Sequence, residues 1–121
     1  MRPVDAARRW ARAWTDGWES LDPEPIVACY APDVLLSTEP FREPYRGREG
    51  VSEYVTAALG EEEDPRVWMS DPIVDGDRAA VEWRAETKLV DGGAEKLAGV
   101  SLLRFDSAGL VVEQRDFWTL G

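Results

Sequence analysis

The sequence contains no histidine and a single cysteine, which narrows the chemistry open to it at once. Serine–histidine and cysteine–histidine nucleophile pairs are excluded, as are histidine-ligated metal sites and an internal disulfide. Cys29 follows Ile26-Val27-Ala28 and precedes Tyr30, the setting of a buried structural thiol. Catalysis would have to run on carboxylates, hydroxyls, arginine, tryptophan or backbone groups, with no cofactor and no metal called for. A carboxylate inside an apolar pocket has its charged form disfavoured, which raises its pKa toward the proton-transfer range. Two acids are candidates. Glu39 lies in Thr38-Glu39-Pro40-Phe41, where a glutamate beside proline is ordinarily a solvated loop residue. Asp116 shares an alternating face with Val112, Gln114 and Trp118. That face either looks inward or gives way to a register in which Glu113 and Arg115 do. An ion pair between Asp116 and a neighbouring arginine is the third possibility.

The elements that must position these residues fall into helices first and strands afterwards. Residues 5–19 form a helix in which Ala7, Ala11, Trp14 and Trp18 share one face at spacings of three to four, with Trp10 joining them. Such an indole load packs against a sheet or walls a cavity, because large flat rings leave gaps that ligands use. Asp22-Pro23-Glu24-Pro25 turns into a short helix ending near Tyr30, stopped by Ala31-Pro32-Asp33, with Asp33 capping the turn into extended structure at Val34-Leu35-Leu36. Residues 37–48 read as a loop, and Glu49 to Leu59 as a third helix with Val51, Tyr54, Val55 and Leu59 inward. The acidic run Glu61-Glu62-Glu63-Asp64 reads as a solvated loop. Strands follow over 66–74, 78–90, 95–105 and 110–120, joined by Asp-Gly and Gly-containing turns. In the second of them Val81, Trp83, Ala85, Thr87 and Leu89 alternate with Glu82, Arg84, Glu86 and Lys88.

This order predicts one α+β domain over residues 1–121, three N-terminal helices packed on a curved antiparallel sheet. One sheet face buries Trp83, Leu103, Phe105 and Trp118 against the helices. The other mixes Glu82, Arg84 and Glu86 with Ala98, Val100 and Leu102, and this half-apolar outer face points to a homodimer. A net charge of −10 argues against nucleic acid as a partner, and no apolar run approaches the roughly 20 residues of a membrane span. The N-terminal stretch lacks a secretory h-region, so a cytoplasmic location is expected.

The run Tyr30-Ala31-Pro32-Asp33-Val34, then Tyr45-Arg46-Gly47-Arg48-Glu49-Gly50-Val51 opening a helix, resembles the SnoaL-like group of the nuclear transport factor 2-like cone fold. Arg104-Phe105-Asp106-Ser107-Ala108-Gly109-Leu110-Val111 followed by Phe117-Trp118 is similar too. The resemblance covers nearly the whole chain and implies a conical pocket between sheet and helices. It does not imply one reaction, since the fold hosts isomerases, cyclases, hydratases, epoxide hydrolases and binding modules.

Within that resemblance, Thr38-Glu39-Pro40-Phe41 looks like the ketosteroid isomerase segment whose acid is the general base, and Asp116 like the inward acid of SnoaL-like cyclases. Where the isomerases carry an oxyanion-binding tyrosine and aspartic acid, this chain has Trp14 and Ser101, weaker donors. Tyr30, Tyr45, Tyr54, Trp68, Trp83 and Trp118 are pocket-wall candidates, alternatively core packing. No Asp-Arg-Asp set of the epoxide hydrolase kind falls on the inner face. The expected function is a pocket for a small hydrophobic molecule, with carboxylate acid–base chemistry on a carbonyl compound, isomerase- or cyclase-like. The alternative is a non-catalytic ligand-binding or dimerisation module.

Overall fold

Pro3 at the helix start and Asp5 in the first turn open α1 (Pro3–Ser20), whose buried face is Ala6, Ala7, Trp10, Trp14, Gly17 and Trp18. The computed structural model describes all 121 residues. Gly17 lets the next element come close: a Cβ there would stand 2.8 Å from both the Asp22 carbonyl oxygen and Ile26 Cγ1. That element is α2 (Glu24–Val27), which ends earlier than the sequence predicts. The run Ala31-Pro32-Asp33 is not a stop but part of β1 (Tyr30–Ser37), where a register break between Tyr30 and Leu35 accommodates the proline. Asp33 is exposed there, and its side chain makes no capping hydrogen bond.

Strand β2 (Tyr45–Arg46) and helix α3 (Gly47–Leu59) follow, then β3 (Glu62–Met69), β4 (Ile73–Asp75), β5 (Arg78–Leu89), β6 (Ala94–Phe105) and β7 (Val111–Leu120). The sheet order is β2-β1-β7-β6-β5-β3, with β4 paired to β5. Strand β1 runs parallel to β7 while every other pairing is antiparallel, so the curved sheet is mixed and not the purely antiparallel one expected. Nor do all the helices precede the strands, since β1 and β2 lie between α2 and α3. The expected strand over 66–74 is two pieces separated at Pro72, both paired with β5.

The acidic run 61–64 departs furthest from its expected loop. Strand β3 begins inside it, at Glu62, and a bulge between Glu63 and Arg66, with Asp64 at φ 50°, re-aims the strand. Helix α1 lies over the inner face of β5 and β6, where Val81, Trp83, Ala85, Leu103 and Phe105 are buried. Helix α3 closes the side through Val51, Val55 and Leu59, packing on β1 and β2. No helix is long and apolar enough to cross a membrane.

Candidate active-site pocket

Packing three indoles along one helix leaves hollow space. Trp10, Trp14, Trp18 and, from the sheet, Trp83 form a line of tilted and edge-on rings with successive centroids 6.2, 5.9 and 5.9 Å apart. Rings held at these angles do not fill a volume the way stacked aliphatic side chains do. A cavity of about 180 Å³ opens beside them, bounded by α1, α3 and the inner faces of β3, β5, β6 and β7.

The polar end of this cavity is built on the β6–β7 ladder. Ser101 and Asp116 are register partners on the inner face, and Gln114 lies two residues before Asp116 on the same face. Ser101 Oγ donates to Asp116 Oδ1 at 2.6 Å, and Gln114 Nε2 donates to the same oxygen at 2.9 Å. Asp116 is 8% exposed, and burial lifts its pKa to about 6, the hydrogen bonds from Ser101 and Gln114 holding back part of the rise. Its Oδ2 has no protein partner, yet it is not sealed from solvent, so it is the oxygen presented to the cavity. No basic side chain pairs with Asp116, and Arg115 points outward. The inward register is the one adopted.

A second network stands behind the wall. Trp14 Nε1 donates to Tyr30 Oη at 2.9 Å, and Trp10 Nε1 is shared between Tyr30 Oη and Gln114 Oε1, 3.1 Å from each. Tyr30 Oη in turn donates to Gln114 Oε1. Gln114 therefore accepts from the helix side through its carbonyl oxygen and donates to Asp116 through its amide. Tyr30 is 0% exposed and does not line the cavity, which corrects its expected role as a ligand contact. Its hydroxyl, pushed far above the ordinary range chiefly by burial, is a hydrogen-bond hub.

The expected oxyanion donors are likewise occupied. The Trp14 N–H is taken by Tyr30, and the Ser101 hydroxyl receives Trp83 Nε1 at 3.0 Å while donating to Asp116. Both residues line the cavity without a free donor to offer it. Tyr54, on α3, is different: it lines the cavity, its hydroxyl makes no protein hydrogen bond, and burial keeps it protonated by raising its pKa. Trp118, 38% exposed, stands at the rim and not in the core as expected, and its Nε1 donates to the Thr38 carbonyl at 2.7 Å.

Of the acids singled out in the sequence, Asp116 lines the cavity and Glu39 does not. The Glu39 side chain is 41% exposed and lies 3.6 Å from Arg42 in a surface turn beside the fully exposed Phe41. Of the other aromatic candidates, Tyr45 lies tilted against Tyr54 with ring centroids 5.1 Å apart, while Trp68 is exposed on the outer face. Cys29 is buried, as its apolar setting implies, and burial raises its thiol pKa.

Two hydrogen-bonding wall residues are not evident from the sequence. Gln114 was visible only as a neighbour on the face of Asp116. Glu62 was hidden in an acidic run. It is half-buried, its Oε1 accepts from Trp18 Nε1 at 2.8 Å, and desolvation raises its pKa. The one signal for it was indirect: a tryptophan on the inner face of α1 needs an acceptor for its N–H when buried.

A family model described as a SnoaL-like domain matches residues 9–114. The solved structure of RV0760c from Mycobacterium tuberculosis superposes with a TM-score of 0.80 at 18% identity, covering 96% of each chain. The same protein in complex with estradiol-17beta-hemisuccinate gives 0.78 at 19% identity, over 98% of this chain and 95% of that one. A computationally designed 17-OHP binder also gives 0.78, at 20% identity over the full length of both chains. An NTF2-like protein of unknown function from Exiguobacterium sp. 255-15 gives 0.77 at 13% identity, over 91% of this chain and 98% of that one. No curated protein matches the sequence. At these identities the structural likeness shows an NTF2-like fold and nothing narrower.

Proposed function

The chain belongs to the SnoaL-like domain family, and from that footing we propose that it is a small-molecule enzyme in which Asp116 is the proton-transferring group. The substrate is a compact hydrophobic carbonyl compound held among the indoles. Asp116 Oδ2 takes a proton from the carbon beside the carbonyl and returns it at another position, the reaction class of isomerases and of aldol-type cyclases. Ser101 and Gln114 fix Oδ1, so that the free oxygen keeps one orientation. The Tyr54 hydroxyl donates to the oxygen on which negative charge develops, the part for which Trp14 and Ser101 have no donor left. The carrying observation is a buried carboxylate with a pKa near 6, one oxygen tethered and the other open to an aromatic cavity. A group poised there changes protonation state readily at neutral pH.

Proton exchange tests this without knowledge of the natural substrate. A panel of cyclic enones and aryl ketones in deuterated buffer, followed by proton NMR, is expected to show enzyme-dependent exchange at the carbon next to the carbonyl. Asp116→Asn should reduce that exchange by about a hundredfold or more, with binding retained, whereas Glu39→Gln should leave it within about twofold. Equal exchange rates in wild type and Asp116→Asn would remove Asp116 from the mechanism.

A second reading, a binding module without turnover, has its own support in the internal use of the Trp14 and Ser101 donors. It calls for saturable ligand binding with no exchange on any ketone. In either reading, we propose that two copies associate through the outer sheet face. Trp68, Ile73 and Phe117 are exposed there, with Ala98, Val100 and Leu102 half-buried between them. Sedimentation of the wild type against Phe117→Glu tests the association.

A further inference from the structure

The cavity wall is strongly biased in the kind of group it can receive. Four acids line it, Asp116 at the β6–β7 end and Glu61, Glu62 and Glu95 where β3 meets β5 and β6, and no lysine or arginine lines it. None of the four is in an ion pair within the chain. The nearby lysines do not neutralise them: Lys88 and Lys96 alternate onto the outer face, where Lys96 pairs with Glu86 at 3.8 Å.

The donors in the wall are nearly all spent. Trp10, Trp14, Trp18, Trp83 and Trp118 line the cavity, and every one of their N–H groups is bonded to a protein acceptor. With those groups bonded, the indoles offer the interior aromatic surface and no hydrogen-bond donor, and aromatic surface attracts cations. Glu62 is held against the line of rings by its bond from Trp18, and Trp18 meets Trp83 edge-on at 5.9 Å. Thr87 also stands against the Glu62 carboxylate, and the group is not fully buried. The acids do not converge into a cluster able to ligate a metal ion, so an organic cation suits the site better than an inorganic one.

We infer that this cavity selects hydrophobic molecules carrying a protonated amine, seated between Glu62 and Glu95 against the faces of Trp18 and Trp83. The inference rests on the cavity being the ligand site and narrows the substrate class to amine-bearing carbonyl compounds. A carboxylate or phosphate on the ligand would face four acids with one free hydroxyl, that of Tyr54, to receive it. A neutral alcohol would gain a hydrogen bond but neither the charge nor the cation–π attraction.

Calorimetric titration with three probes on one skeleton tests this: 1-naphthylmethylamine, 1-naphthalenemethanol and 1-naphthoate, at pH 7.5. The amine is expected to bind about tenfold or more tightly than the alcohol, and the carboxylate more weakly than either. In the double variant Glu62→Gln with Glu95→Gln, the amine should fall to the level of the alcohol while the alcohol changes by less than about twofold. Glutamine retains an acceptor for Trp18, so the wall survives the change. Comparable affinities for amine and alcohol in the wild type, or an amine preference that persists in the double variant, would overturn the cation inference and leave the pocket standing. Failure of all three probes to bind would overturn both.

Discussion

Ser101 and Asp116 are opposite each other across the β6–β7 ladder, and the Ser101 hydroxyl donates to Asp116 Oδ1 at 2.6 Å. The separation is set by strand pairing, not by a flexible loop, since directly paired residues on one face of an antiparallel sheet bring their side chains into contact. The hydroxyl favours the ionised acid and burial opposes it more strongly, which leaves the pKa at about 6.

Ionising Asp116 works against folding. Its pKa is about 6 in the folded protein against an ordinary 3.8. The folded state therefore binds the extra proton between those values, and stability falls as pH rises through that window. At about 1.4 kcal/mol per pH unit the full penalty is on the order of 3 kcal/mol above pH 6 and vanishes below about pH 4. Asp116→Asn keeps an oxygen for Ser101 and Gln114 and carries no charge. Its Tm should exceed that of the wild type at pH 7.5, and the two should converge near pH 4. A constant offset across pH would mean that Asp116 is not the group responsible.

Tyr30→Phe separates scaffold from wall. The variant leaves the Trp14 N–H buried without an acceptor, at a cost of roughly 1–3 kcal/mol. The Trp10 N–H keeps Gln114 as its partner. Thermal denaturation should show a Tm several degrees lower, while ligand affinity measured on the folded variant changes by less than about threefold. Lost binding at unchanged Tm would put Tyr30 in contact with the ligand after all.

Gly99 is the hole that admits two of the rings. A Cβ there would lie 2.7 Å from both the Phe117 carbonyl oxygen and Trp118 Cβ, and 2.8 Å from Trp83 Cζ2. Because one of these atoms is backbone, Gly99→Ala should cost about 1–3 kcal/mol and displace the Trp83 indole from Ser101. Tryptophan fluorescence and Tm report both effects. A wild-type melting curve would show that the sheet gives way more easily than this packing implies.

Much of this site was legible in the sequence because periodicity carries it. The indoles of α1, the alternation around Trp83, and the shared face of Gln114 and Asp116 each follow from residues close together in the chain. What escaped depends on partners distant in sequence. Nothing near Val34 signals a parallel neighbour about eighty residues away. Glu62 reads as solvated until the β3 bulge turns it toward Trp18. Trp14 and Ser101 read as free donors for the same reason, since the partners that occupy them, Tyr30 and Asp116, lie in other elements. Glu39 shows the converse: a local likeness to a catalytic segment did not bring its carboxylate into the wall.

The mixed sheet also constrains how the protein is made. Strand β7 comes after every other element in the chain, yet it lies in the interior of the sheet, between β1 and β6. Until it arrives, β2-β1 and β6-β5-β3 are two unconnected fragments, each with an open edge able to pair with other chains. Such late, long-range closure is slow. A nascent chain released from the ribosome without its final strand would leave the facing edges of β1 and β6 unpaired and the cavity without Gln114 and Asp116, becoming a client for chaperones and not a partly active protein.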